Sequence, residues 1–148
     1  MIKKLWNKLV GTPKNAISFK SGMDLTELPV VTLYQGDKRF NFLLDTGSND
    51  SIIDKNIINE IEHSVIEGLQ SNLIGLEGNL QKTEICSIEL SYKDEKYKHE
   101  YLICDMKDAF GHIKKTSGVT LHGIIGSKFF NKFRYVLDFA ELIAYSKK

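Results

Sequence analysis

Phe42-Leu43-Leu44-Asp45-Thr46-Gly47-Ser48 is the stretch on which the fold turns. Three apolar residues run straight into a carboxylate, and an acid at the end of a core-bound strand loses hydration unless the site uses it. Gly47 lets the backbone turn tightly and brings N–H groups towards that carboxylate. Thr46 offers a hydroxyl that can bond to a neighbouring chain, and Ser48 adds a second hydroxyl beside the acid. A plain turn is the competing reading, because these residue types all favour turns. For the tripeptide alone the two readings carry equal weight.

Upstream, residues 28–34 are apolar and β-branched and read as a strand, Gln35-Gly36-Asp37-Lys38 as a turn, and residues 39–44 as the return strand that delivers Asp45. Downstream, Ser51-Ile52-Ile53 is a short strand. Asp54 is placed to cap a helix over 55–61 with Ile57, Ile58 and Ile61 on one face. Gly75 and Gly78 mark a hairpin tip within 73–80. Residues 83–92 and 96–104 form a further hairpin around Lys93-Asp94-Glu95, with Cys86, Ile88 and Leu90 on its buried face. Residues 105–118 are polar and irregular and read as a long loop. Ser127 is placed to cap a short helix through Phe133, and two strands follow at 135–139 and 142–145. Many short strands, few helices and no internal repeat predict an all-β, closed barrel-like domain with one or two short helices.

The chain has 148 residues with 42% hydrophobic and 26% charged content, which suits one soluble domain with a real core. A net charge of +1 carries no basic field of the kind that marks a nucleic-acid binder. Cys86 and Cys104 lie in separate apolar segments without metal spacing and read as two buried thiols, with a disulfide between neighbouring strands as the weaker alternative. His63, His99, His112 and His122 form no metal pattern, so neither metal nor cofactor is expected. No apolar run reaches the roughly 18 residues of a membrane span. The amphipathic start, Met1 to Val10, is broken by Asn7 and Lys8 and lacks a cleavage region, so the expected location is cytoplasmic. That segment reads as a short helix covering the domain or a contact between subunits, ahead of a membrane-surface anchor. Residues 1–24 are expected to be an extension and 25–148 the domain.

A second motif changes the weight of the first. Leu121-His122-Gly123-Ile124-Ile125-Gly126 places two bulky apolar residues before a glycine and a helix. Taken with Asp45-Thr46-Gly47-Ser48, the glycine-marked hairpin and Val136-Leu137-Asp138-Phe139, this order resembles the retropepsin-like aspartic proteases across residues 28–145. It is most similar to the bacterial members of that clan, which are longer than the viral ones.

The resemblance implies an acid-protease barrel of retropepsin type. Asp45 would be the catalytic carboxylate, Thr46 the hydroxyl grip between two active-site loops, and Gly47 the shaper of the loop, with Ser48 beside it. Ile124, Ile125 and Gly126 would support the loop from behind, and Gly75, Leu76, Glu77 and Gly78 would be a flap over the substrate, with a plain exposed hairpin as the equal alternative. Departures are Ser48 where the viral enzymes have Ala, no Tyr at the flap tip, and the extra lengths at 1–24 and 105–118.

Only one Asp-Thr-Gly is present, and Asp138 lacks the Thr-Gly and reads as structural. The expected function is therefore an aspartic endopeptidase acting on a polypeptide substrate, with water activated by two Asp45 carboxylates across a homodimer. The strand at 142–145 or the N-terminal segment is expected to supply a shared sheet. A catalytically silent dimerisation or peptide-binding module is the alternative.

Overall fold

The computed structural model describes the backbone of residues 11–74 and 80–147, and their side chains outside 68–82. Among the described residues ten strands dominate: β1 Ile17–Ser18, β2 Val30–Gln35, β3 Lys38–Leu44, β4 Ser51–Asp54, β5 Ser64–Ile74, β6 Leu80–Tyr92, β7 Glu95–Cys104, β8 Gly123–Ile125, β9 Tyr135–Asp138 and β10 Ile143–Ser146. Three short α-helices, α1 Lys20–Thr26, α2 Lys107–Ser117 and α3 Ser127–Lys132, and a 3₁₀ helix, Lys55–Glu60, connect them.

The larger sheet runs β2-β3-β8-β4-β7-β6-β5. Tyr34 of β2 also pairs with Ser91 of β6, so six strands close into a barrel and β5 lies outside it on β6. Alternation along the hairpins decides which side chains fill the barrel. Val31, Leu33, Phe40 and Phe42 face inward from β2 and β3, and Cys86, Ile88 and Leu90 from β6, all at most 3% exposed. Tyr97 and Tyr101 of β7 complete that core. The β2–β3 hairpin turns at Gly36, whose φ of +60° suits a tight two-residue connection.

Outside the barrel wall a second, smaller core joins Val30, Phe110, Leu121 and Ile124. Its lid is α2, which occupies the stretch expected to be an irregular loop. Asp108 in the first turn and Lys114 and Lys115 in the last suit the helix dipole, and Gly118 at φ +78° ends the helix by donating to the Lys114 carbonyl. Burial of Phe110 against Ile124 gives this polar segment a reason to be helical.

The small sheet has the order β1-β10-β9. Ile17 and Phe19 are 3% and 0% exposed, so residues from 17 onward pack as part of the domain rather than ahead of it. The strand expected to be shared between subunits, β10, is here the central strand, paired on one side with β1 and on the other with β9. Asp54 caps the 3₁₀ helix by accepting from the Asn56 N–H, as its position predicts. Ser127 differs: it is the first helical residue of α3, Gly126 holds the cap position, and the Ser127 hydroxyl bonds elsewhere. Among the described residues no helix is long and apolar enough to cross a membrane.

Candidate active site

Strand β3 is committed to the core through Phe42 and Leu44, and its last ladder bonds run straight into the loop. The Leu44 N–H donates to the Pro29 carbonyl and the Asp45 N–H to the Ile125 carbonyl, both at 2.9 Å. Asp45 is therefore the first residue past a parallel pairing in which Leu43 faces Ile124 and Leu44 faces Ile125. Strand β8 sits between β3 and β4, parallel to the first and antiparallel to the second, with Ile124 opposite both Leu43 and Ile52. The chain leaves a gap between β3 and β4 and fills it far later with Gly123–Ile125.

The loop closes on itself through the carboxylate. Asp45 Oδ1 accepts the Gly47 N–H at 2.9 Å, and the Asp45 carbonyl accepts the Ser48 N–H at 3.2 Å. A Cβ on residue 47 would lie 3.2 Å from that carboxylate oxygen, so glycine keeps the approach open. Asp45 is half-buried, whereas Thr46 and Gly47 are exposed. The Thr46 hydroxyl has no hydrogen-bond partner among the described residues. Ser48, expected beside the acid, turns away and donates its hydroxyl to the Asp50 carbonyl at 2.7 Å.

Support comes from α3 and the residue before it. The Ser127 and Lys128 N–H groups donate to the Ser48 and Asn49 carbonyls at 2.7 and 3.0 Å. The Ser127 hydroxyl donates to the Thr46 carbonyl at 2.9 Å, and Lys128 pairs with Asp50 at 2.6 Å. Orphan N–H groups of a helix start thus hold the carbonyls of the loop. Gly126 is the steric condition for this: a Cβ there would lie 2.4 Å from the Asp50 carbonyl oxygen and 2.7 Å from that of Ser48. Its own N–H donates to the Ser51 hydroxyl at 3.0 Å, in a buried position. Ser51, Asp50, Ser127 and Lys128 thus belong to the site, although sequence reasoning gave none of them that role. Of the expected support residues, Ile125 bonds the Asp45 N–H, Ile124 pairs with Leu43 and Ile52, and Gly126 packs against the Asp50 and Ser48 carbonyls.

Gly75, Leu76, Glu77 and Gly78 lie outside the described residues. The arms beside them, β5 and β6, pair antiparallel as far as Ile74 opposite Leu80. Asp138 is structural in its bonding: its carboxylate accepts the Ala140 and Glu141 N–H groups in the β9–β10 turn.

Two histidines lie close to this framework. His122 Nδ1 accepts the Asn41 N–H at 2.9 Å, and burial lowers its pKa. His99 packs edge-on against Tyr101 and Phe129 and within 6.2 Å of Phe133. Burial, then the charges of Lys132 and Lys128, lowers its pKa to about 4, against the opposing pull of Asp50. Cys86 and Cys104 are free thiols, and burial pushes Cys86 up to about 12. Cys104 is half-buried and lies 3.9 Å from the Thr83 hydroxyl.

Among the described residues, no group of three or more His, Cys, Asp and Glu side chains is placed to hold a metal ion. A scan against protein-family models finds none that matches this chain.

Proposed function

We propose that the chain is an aspartic endopeptidase of retropepsin type that works as a homodimer, with Asp45 from each copy in one shared site. The observation that carries the reading is the Asp45-Thr46-Gly47 turn, presented outward while Ile125 and the start of α3 pin it from behind. The close approach at Gly126 and the buried Ser51 beneath it hold that turn in place, which supports the reading.

The chemistry follows from pairing the turn with a copy of itself. Two carboxylates about 3 Å apart cannot both ionise, so they share one proton. The ionised Asp45 takes a proton from water as the oxygen attacks the scissile carbonyl. The protonated Asp45 of the other copy donates its proton to that carbonyl oxygen. The tetrahedral gem-diol then collapses: the Asp45 that took the water proton gives it to the departing amine, a diol hydroxyl returns a proton to the other Asp45, and no covalent enzyme intermediate forms. The Thr46 hydroxyls tie the two turns together across the two-fold axis. The substrate lies extended and bonds as an added strand.

The test is digestion of a diverse peptide library at mildly acidic pH by wild type and by Asp45→Asn, with and without a pepstatin-like inhibitor. Wild type is expected to cleave in an inhibitor-sensitive way and to lose specific activity on dilution. Asp45→Asn is expected to be silent while keeping its circular dichroism and sedimentation behaviour. Undiminished cleavage by Asp45→Asn removes this residue from the chemistry. Wild-type silence across the pH range refutes the enzyme and supports the binding module.

A further inference from the structure

The outward face of the β2–β3 hairpin carries a groove that the Asp45 loop does not use. One end of this face is covered by α2 through Val30 and Phe110. The other end is open, and a cavity of about 390 Å³ lies between the hairpin, α1 and Val119. That volume falls in the range of small-ligand sites.

The floor consists of two cross-strand pairs, Thr32 opposite Asn41 and Tyr34 opposite Arg39. The first pair is locked by a 2.7 Å bond from the Thr32 hydroxyl to Asn41 Oδ1. Tyr34 and Tyr92, with ring centroids 6.4 Å apart, make an aromatic wall. Helix α1 supplies the Ser21 hydroxyl and Leu25, which is 60% exposed on the rim.

Among the described residues, Arg39 is the one charged residue lining the groove, and it makes no hydrogen bond or ion pair with any of them. A guanidinium left open presents a planar fork that matches a carboxylate through two parallel bonds. The lining therefore combines an anion receptor, a hydroxyl for an amide, and an apolar wall, which are the three features of a peptide's carboxyl end.

We propose that this groove binds the free carboxyl end of a short peptide, with the terminal carboxylate on Arg39 and the last, apolar side chain against Leu25, Val119 and the tyrosine rings. The proposal does not depend on Asp45 being catalytic.

The test titrates isotopically labelled full-length protein with N-acetyl-leucyl-phenylalanine as the free acid and as its C-terminal amide, read by amide NMR shifts. The free acid is expected to move resonances of Ser21, Leu25, Thr32 and Val119 with a millimolar dissociation constant. The amide is expected to bind about tenfold more weakly, the equivalent of about 1.4 kcal/mol. Arg39→Gln, a change on an exposed side chain, is expected to keep the fold and to lose the preference for the acid. Equal binding of acid and amide, an unchanged preference in Arg39→Gln, shifts centred on residues 45–47 instead, or no shifts at about 10 mM peptide would each overturn the proposal.

Discussion

His99 makes the fold acid-labile in a way that can be isolated. Its ring lies among Tyr101, Phe129 and Phe133, with Lys132 and Lys128 as the nearest positive charges, and its pKa falls from 6.5 to about 4. In the unfolded chain the imidazole takes a proton at its ordinary value, whereas the folded chain resists doing so. Stability from this group is therefore complete above about pH 6.5, falls as the pH drops, and levels off below about 4. Between pH 7 and 4.5 the loss attributable to His99 is roughly 2 kcal/mol. For a chain of this length that is a shift of about 4–8 °C in melting temperature.

The assay is urea unfolding of wild type and His99→Phe at both pH values, followed by circular dichroism. The replacement keeps an aromatic ring in the cluster and removes the titration, and every other group contributes equally to both proteins. Wild type should lose about 2 kcal/mol more than the variant on acidification. Identical losses would refute the placement of His99 as a neutral, buried imidazole. Because Phe129 belongs to the helix that holds the Asp45 loop, the acid limit of the proposed peptidase activity should move with this transition and extend to lower pH in His99→Phe.

Gly126→Ala forces a Cβ against the Asp50 and Ser48 carbonyls, and both obstacles are backbone. A stability loss of about 3 kcal/mol is expected in chemical denaturation, with displaced amide resonances at 46–50 and loss of any peptidase activity. Ser51→Ala leaves the buried Gly126 N–H without its acceptor and should cost about 1–3 kcal/mol in the same experiment. Gly111→Ala lies in α2 with nothing within 4 Å of the new methyl group, so the denaturation midpoint should rise by the equivalent of about 0.5–1 kcal/mol. A destabilised Gly111→Ala would contradict the helix that replaces the expected loop.

The hairpins were readable because period-two alternation is local: Cys86, Ile88 and Leu90 declare their buried face without help from the rest of the chain. The two unexpected helices had no such signal. In α2 the apolar face is little more than Phe110 and Ile113, and Gly111 lowers the local propensity between them. What makes the segment helical is its contact with Val30, distant in sequence, and with Ile124, which lies beyond the helix in another strand. Helix α1 is seven residues long and contains Gly22, a position that looks like a breaker. That position takes glycine because a Cβ there would lie 2.8 Å from the Val30 backbone nitrogen, a tertiary constraint with no local signature.

The same distinction runs through the candidate site. Asp45, Gly47 and Gly126 were legible because each acts through its own side chain, or its lack of one, in a short motif. Ser51 and Ser127 were not, because their hydroxyls bond backbone groups 75 and 81 residues away, and a backbone carbonyl or N–H partner leaves no trace in residue identity. Ser48 shows the reverse error. Its hydroxyl suggests chemistry beside the acid, yet it is spent on the Asp50 carbonyl. The carboxylate is therefore positioned by main chain: Gly47 bonds one oxygen, Ile125 fixes the Asp45 N–H, and α3 grips the carbonyls beyond. Around that main-chain mount the Ser48 hydroxyl and the Asp50–Lys128 pair are secondary ties, whereas position 126 is intolerant of a side chain. Substitution tolerance along the loop should therefore follow backbone spacing rather than polarity.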